Sequence, residues 1–257
     1  MGEPMSAVNV QYTRQLRKRF GYSATWIPTS EVRLGDVGRL QRYQYEQVAT
    51  LADFGVPFDC RAGSATSSFD YMSENGVSFA MKASGEPPPL GSGLAAVDAG
   101  IIVSFAAKDA IVLQAAECVV ASIENQHELS RHILALYEKG EWDEDYVAIT
   151  EVVQAGRTTV LISSSSDGSV VFKAKGDVEL GPLSLAAANV GLRVSNSRNI
   201  ATQIVAEGRL TPLFRAYGVR KRFLRPLELA RRGTGPPPAV PEDTGVILDE
   251  MDYEDFA

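Results

Sequence analysis

The chain is poor in the residues that carry most chemistry, with two histidines and two cysteines among 257 residues. So little thiol and imidazole leaves no Cys-x-x-Cys metal knuckle and no disulfide framework, and Cys60 and Cys118 are expected to be two buried thiols. His127 and His132 stand five apart on one predicted helix and therefore diverge, whereas a metal pair sits three or four apart. Long apolar runs are missing too. None approaches the roughly 18 to 20 positions of a membrane-spanning helix, and no signal-peptide stretch opens the chain. These absences predict a soluble, cytoplasmic protein. Basic residues are missing from one place in particular. Glu242 to Ala257 holds seven acidic side chains and no Lys or Arg, which accounts for the whole formal charge of −7 and leaves 25 acidic against 25 basic residues elsewhere.

Other sources of chemistry are thin. Ser163 to Ser166 lacks the Gly-x-Ser-x-Gly elbow of a serine nucleophile and reads as a polar strand end. Glu141-Trp-Asp-Glu-Asp145 gathers four carboxylates without EF-hand spacing, so it reads as a solvated acidic loop. Gly91-Ser-Gly93 follows prolines and precedes no Gly-Lys-Ser, which argues against a phosphate loop. Gly2 with Ser6 meets only the bare myristoylation pattern. No catalytic residue, cofactor or metal ligand emerges, and the expectation is a non-enzyme that needs no cofactor.

What the chain does have is charge arranged in order. A basic stretch, Arg209 to Arg232, carries eight Lys or Arg and a single Glu; the Pro/Gly-rich spacer 233–241 follows, and then the acidic segment 242–257. This order divides the chain into a body (1–232), a stiff spacer and a segment able to fold back. Val246, Ile247, Leu248, Met251, Tyr253 and Phe256 supply the acidic segment with enough apolar surface to dock. Burial of a large apolar side chain contributes about 1.5 to 3 kcal/mol, against roughly 0 to 1 for an exposed ion pair. Ile247, Leu248, Met251, Tyr253 and Phe256 are therefore the docking candidates. Arg231 and Arg232, beside the spacer, are the candidate cleavage region, since an exposed linker is where proteases cut.

Periodicity predicts an α+β domain. Val8, Tyr12, Leu16 and Phe20 recur every four residues and place a helix over Ala7 to Phe20, with Arg14, Arg17, Lys18 and Arg19 making it basic. A second helix runs from an Asn125 cap to about Lys139, with Glu128 completing a capping box and Leu129, Ile133, Leu136 and Tyr137 forming its apolar stripe. Val77 to Ala83 and Ala99 to Ala107 read as strands. Tyr146 to Gln154, Thr158 to Ser166 and Ser169 to Lys175 read as three more, joined at Ala155-Gly156 and at Asp167-Gly168, the latter a hairpin signal. Leu183 to Val194 and Ala201 to Val205 add a helix or strands. Helices and strands do not alternate as βαβ units, so the sheet should be twisted, mainly antiparallel and flanked by helices.

The run Leu134-Ala-Leu-Tyr-Glu-Lys-Gly140, followed by Tyr146-Val-Ala-Ile-Thr-Glu-Val-Val153, resembles the gasdermins, in which a helix, a short loop and a Tyr-Val-Val-Thr-Glu-Val strand open a long hairpin. A basic N-terminal helix, the Trp26-Ile-Pro28 segment and two amphipathic strands flanking a loop fall in compatible order. The length is similar to that of the short bacterial members, whose inhibitory element is a small C-terminal peptide. Those members carry a lipidated cysteine near the N-terminus, whereas the first cysteine here is Cys60. The resemblance implies an autoinhibited pore-forming cell-death effector of antiviral defence, stored in the cytoplasm. An activating protease removes the C-terminal segment, and a homo-oligomer then inserts β-hairpins into the cell membrane. Candidate hairpins are Val77 to Ala83 with Ala99 to Ala107, and Thr158 to Ser166 with Ser169 to Lys175. Arg14, Arg17, Lys18 and Arg19 are the candidate contacts to membrane lipids.

Three other classes compete with this reading. The basic stretches match nucleic acid in charge alone, without a recognisable module around them, so no nucleic-acid partner is expected. A soluble binding or adaptor module, its acidic tail recruiting a basic partner, uses the same charge pattern. An enzyme assembled from scattered Asp, Glu, Arg and Tyr is the third.

Overall fold

Val, Ile and Thr crowd the middle of the chain, and these β-branched residues build the two sheets that organise the molecule. The computed structural model describes residues 7–26, 31–63, 67–82, 85–87, 99–174, 192–223 and 244–256. Helix α1 (Ala7–Phe20) is followed by strands β1 (Ser23–Ala24), β2 (Asp36–Gln41), β3 (Gln44–Thr50), β4 (Cys60–Ala62), β5 (Ser67–Met72), β6 (Val77–Lys82), β7 (Gly100–Phe105) and β8 (Ile111–Ile123). Helix α2 (Gln126–Glu138) precedes β9 (Val147–Ser163), β10 (Ser169–Ala174), β11 (Leu192–Arg198), β12 (Ile200–Phe223) and β13 (Thr244–Met251), and a 3-10 turn covers Tyr253–Phe256. The architecture is α+β and mostly antiparallel sheet, with two helices among the described residues.

The larger sheet is built on β9 and β12, which pair antiparallel along almost their whole lengths. β8 occupies the second edge of β9 over most of its length and β2 takes its first residues, while β1 and β13 share the second edge of β12. The smaller sheet has the order β11-β10-β7-β6. Alternation along β8 decides what each face meets: Ile111, Leu113 and Ala115 pack with Tyr12 and Leu16 of α1, whereas Ala110 and Val112 pack with Val103, Phe105 and Phe172 of the smaller sheet. Leu129 and Ile133 of α2 pack with Val37, Ala148 and Val219. Helix α1 lies close to the short strand β1 and to the end of β13, where Arg17 reaches Glu250 and Asp252.

Several expectations change. Tyr146 to Gln154 and Thr158 to Ser166 are one continuous strand, because Gly156 supplies a close approach and not a turn. A Cβ at Gly156 would lie 2.6 Å from Glu117 Oε2 and 3.1 Å from Glu117 Cβ, on a neighbouring strand whose Glu117 itself has φ of +55°. Asp167-Gly168 does not close a hairpin either. Both edges of β9 are already occupied, so the chain crosses to the smaller sheet, where β10 pairs with β7 and β11. Asp167 holds that crossover by accepting hydrogen bonds from Ser165, Asn199 and Arg198. The helix over 126–138 is as expected, but Asn125 makes no side-chain cap. Its Oδ1 accepts instead from the Asp59 amide at 2.9 Å. Cys60 is exposed, because β4 is a three-residue strand with every residue exposed; Cys118 is buried. Ala201 to Val205 belongs to β12, whereas most of Leu183 to Val194, the spacer 233–241, Gly2, Arg231 and Arg232 lie outside the described residues.

Candidate functional site

Arg14 and Arg17 are one helical turn apart and share a face of α1, pointing toward the strand that closes the larger sheet. That strand is β13. Its register on β12 runs from Ala216 opposite Met251 to Phe223 opposite Thr244, so the acidic segment lies antiparallel on the body as an added edge strand. Continuing past β13, the chain curls into the 3-10 turn and brings Asp252, Tyr253 and Glu254 under α1.

The contacts divide into a buried seam and a charged rim. Met251 and Tyr253 are buried among Tyr43, Ile149, Phe214 and Ala216, and Phe256 packs against the same group. The Tyr253 ring meets Phe214 edge-on with centroids 6.3 Å apart, and its hydroxyl donates to the Ala24 carbonyl at 3.0 Å. Burial raises the pKa of Tyr253 far above the ordinary tyrosine value, so it stays neutral and keeps that donor. Val246 and Leu248 pack against the cluster that holds Val219, Leu129 and Ile133, and Ile247, opposite Arg220, is half-buried. Gly218 sits where a Cβ would approach Met251 Cγ to 2.9 Å, so the absence of a side chain there lets the tail strand lie close.

On the rim, five carboxylates of the tail meet four arginines of the body. Arg14 forks onto Glu254, with Nε to Oε1 at 2.6 Å and Nη2 to Oε2 at 3.2 Å, and Tyr43 bridges the pair, accepting from Arg14 at 2.9 Å and donating to Glu254 at 3.0 Å. The hydrogen bond from Arg14 holds the Glu254 carboxyl below its ordinary pKa. Arg17 reaches Glu250 at 2.7 Å and Asp252 at 3.2 Å. Arg215 lies 3.5 Å from Glu250 and stacks over the Tyr22 ring, while Arg220 pairs with Asp255 and lies 3.8 Å from Asp249. Tyr22 donates to Glu151, and burial first, then that bond, pushes its pKa up to about 12.

Of the expected lipid contacts, Arg14 and Arg17 are therefore engaged by the tail. Lys18 and Arg19 are exposed and form no ion pair among the described residues, though the Arg19 guanidinium lies over the Phe20 ring. Sequence reasoning marked the basic stretch that contains Arg215 and Arg220 but did not single out either residue, nor Tyr43. Only the pairing of β12 with β13 shows which arginines the acids reach. Elsewhere His127 and His132 are both exposed, and among the described residues no group of His, Cys, Asp or Glu is placed to hold a metal ion. No described helix is long and apolar enough to cross a membrane. Chemically, the arrangement is a polyanionic strand neutralising a polycationic face. No family model matches this chain, and neither does any curated protein.

Proposed function

We propose that this chain is an autoinhibited pore-forming effector of the gasdermin kind, held inactive by its own acidic strand. The observation that carries the reading is the seating of β13 and the following turn, which occupy Arg14 and Arg17 of the basic helix together with Arg215 and Arg220. A face that holds four arginines would be drawn to anionic headgroups, at about 1 kcal/mol per basic residue near the surface. With the tail in place the same arginines are neutralised. Proteolysis in the segment that joins β12 to β13 would leave the strand held only by the contacts described above, and its departure would free the cationic face and the edge of β12 together.

Pore formation needs amphipathic hairpins that lengthen to roughly 9 to 11 residues per strand and close into a ring. The smaller sheet supplies two antiparallel pairs, β6 with β7 and β10 with β11. In β6, Phe79 and Met81 are 39% and 51% exposed and lie two apart, on one face of the strand, so a strand that refolds into lipid would carry both on its lipid side. An activating protease, membrane lipids and further copies of the chain are the partners of this reading, with the cell membrane as the place of action.

The experiment is dye release from anionic liposomes by the intact chain and by a chain cut between β12 and β13 with the tail removed. Release by the cut chain alone supports the reading, and reversing the charge of Arg14, Arg17 and Lys18 should then weaken it. A cut chain that stays folded, by circular dichroism, yet neither binds nor permeabilises the vesicles refutes it.

A further inference from the structure

Rows of paired residues cross the larger sheet from β13 to β3. In one row Asp249 pairs with Gly218, Gly218 with Val147, Val147 with Gly38, and Gly38 with Gln47. The next row runs Glu250, Tyr217, Ala148, Val37, Ala49. β13 and β3 are thus opposite ends of the same rows. All four pairings are antiparallel, and four reversals leave β3 running in the same direction as β13. The two strands are also matched in length, with seven residues in β3 and eight in β13. Among the described residues β3 pairs only with β2, so no strand lies on its outer edge. Free edges are commonly blunted by Lys or Pro, and Gln44 to Thr50 contains neither. Gln44, Glu46, Gln47 and Val48 are exposed. Glu46, the one charged residue of β3, is opposite in sign to Arg220, Lys221 and Arg222 in the stretch of β12 that β13 covers. A bulge at Val48 leaves Gln44 to Gln47 as the regular stretch open to pairing.

We infer that β3 of a second copy takes the place of β13 on β12 when the acidic strand leaves. A copy added without being turned over presents its β3 antiparallel to β12, the sense in which β13 binds, and the ladder hydrogen bonds of the lost strand are made again by the newcomer. The contact is head to tail, from β12 of one copy to β3 of the next. Such a contact repeats, since each opened copy offers its own β12 edge, and the twist of the sheet turns each copy relative to the last. The acidic strand is then a cap on assembly as well as a cover for arginines. An intact chain can give its β3 but cannot receive one, so it ends a growing assembly. That the assembly serves a pore rests on the autoinhibited pore-former reading; the edge pairing itself does not.

The test uses full-length chains whose tail is loosened to rising degree by Glu254→Gln, Tyr253→Ala or Leu248→Pro, with folding checked by circular dichroism and size followed by sedimentation velocity without membranes. The wild-type chain should stay monomeric. The loosened chains should form oligomers in the order of their hydrogen exchange over Gly245 to Met251, and excess wild-type chain should shorten these to dimers. Glu46→Lys with Val48→Lys, both at exposed positions, should weaken association at least about tenfold, whereas Glu138→Lys on α2 should leave it unchanged. Folded, loosened chains that remain monomeric overturn the inference. So do oligomers that persist undiminished in the β3 variant, the outcome of non-specific aggregation, or that excess wild-type chain does not shorten. The two proposals fail separately: dye release by the cut chain that the β3 variant does not alter sinks only this one, and β3-dependent assembly without any release sinks only the pore reading.

Discussion

Replacing Tyr253 by alanine asks directly how the acidic strand is held. Tyr253 is 5% exposed, stacks on Tyr43 and Phe214, and donates to the Ala24 carbonyl. Truncating a buried aromatic to alanine costs about 3 to 5 kcal/mol, and a site at the end of a terminal turn can relax, so the lower figure applies. If the loss falls on docking alone, opening of β13 becomes easier by about 3 kcal/mol, a factor of roughly 150. Amide hydrogen exchange over Gly245 to Met251 reads that factor, since local opening is what exchange measures. Tyr253→Phe keeps the ring and loses one hydrogen bond, and should raise exchange about fivefold. Glu254→Gln, which breaks the exposed fork with Arg14, should raise it by no more than about fivefold. Equal acceleration by Glu254→Gln and Tyr253→Ala would refute the argument that apolar burial holds the strand and charge only aligns it. So would unchanged exchange in Tyr253→Ala.

Two further outcomes follow from the titratable groups. The docked Glu254 carboxyl lies below its ordinary pKa, so it adds stability above the unfolded value that is lost as pH falls through the docked one; β13 protection should hold to about pH 5 and decline below about pH 4, and a flat profile to pH 3 would contradict this. Asp36, raised by desolvation, moves the other way and gains stability on protonation, so the tail amides and not the global melt are the quantity to follow. In the native chain Cys60 should react with a thiol reagent at once, whereas Cys118, buried and with its pKa pushed up to about 12, should react only on unfolding; two equally fast thiols would contradict the placement of β8.

Both helices were legible in the sequence because their signals are local. The four-residue spacing of Val8, Tyr12, Leu16 and Phe20 fixes α1 wherever it packs, and Leu129 and Ile133 do the same for α2. The strands were legible as segments but not as partners. Asp167-Gly168 carries the local chemistry of a hairpin turn, yet whether β9 and β10 pair depends on which edges β8 and β12 have already taken, a nonlocal fact. The same limit applied to the tail. Its apolar residues and charge suggested docking; in the structure Met251 and Tyr253 are buried and Ile247, Leu248 and Phe256 half-buried, but the choice of Arg215 and Arg220 as partners follows from a register that no local pattern encodes. Cys60 was misplaced for a similar reason, since the short strand around it has no periodicity to reveal its exposure.

Glu254 and Arg14 are 240 residues apart, and that separation has a consequence on the ribosome. At 5 to 20 residues per second, roughly 10 to 50 s of synthesis separate the two. During that interval a nascent chain displays its basic helix with no acidic strand yet made to cover it. A chain whose synthesis ended after β12 would carry that basic helix with no acidic strand to neutralise it.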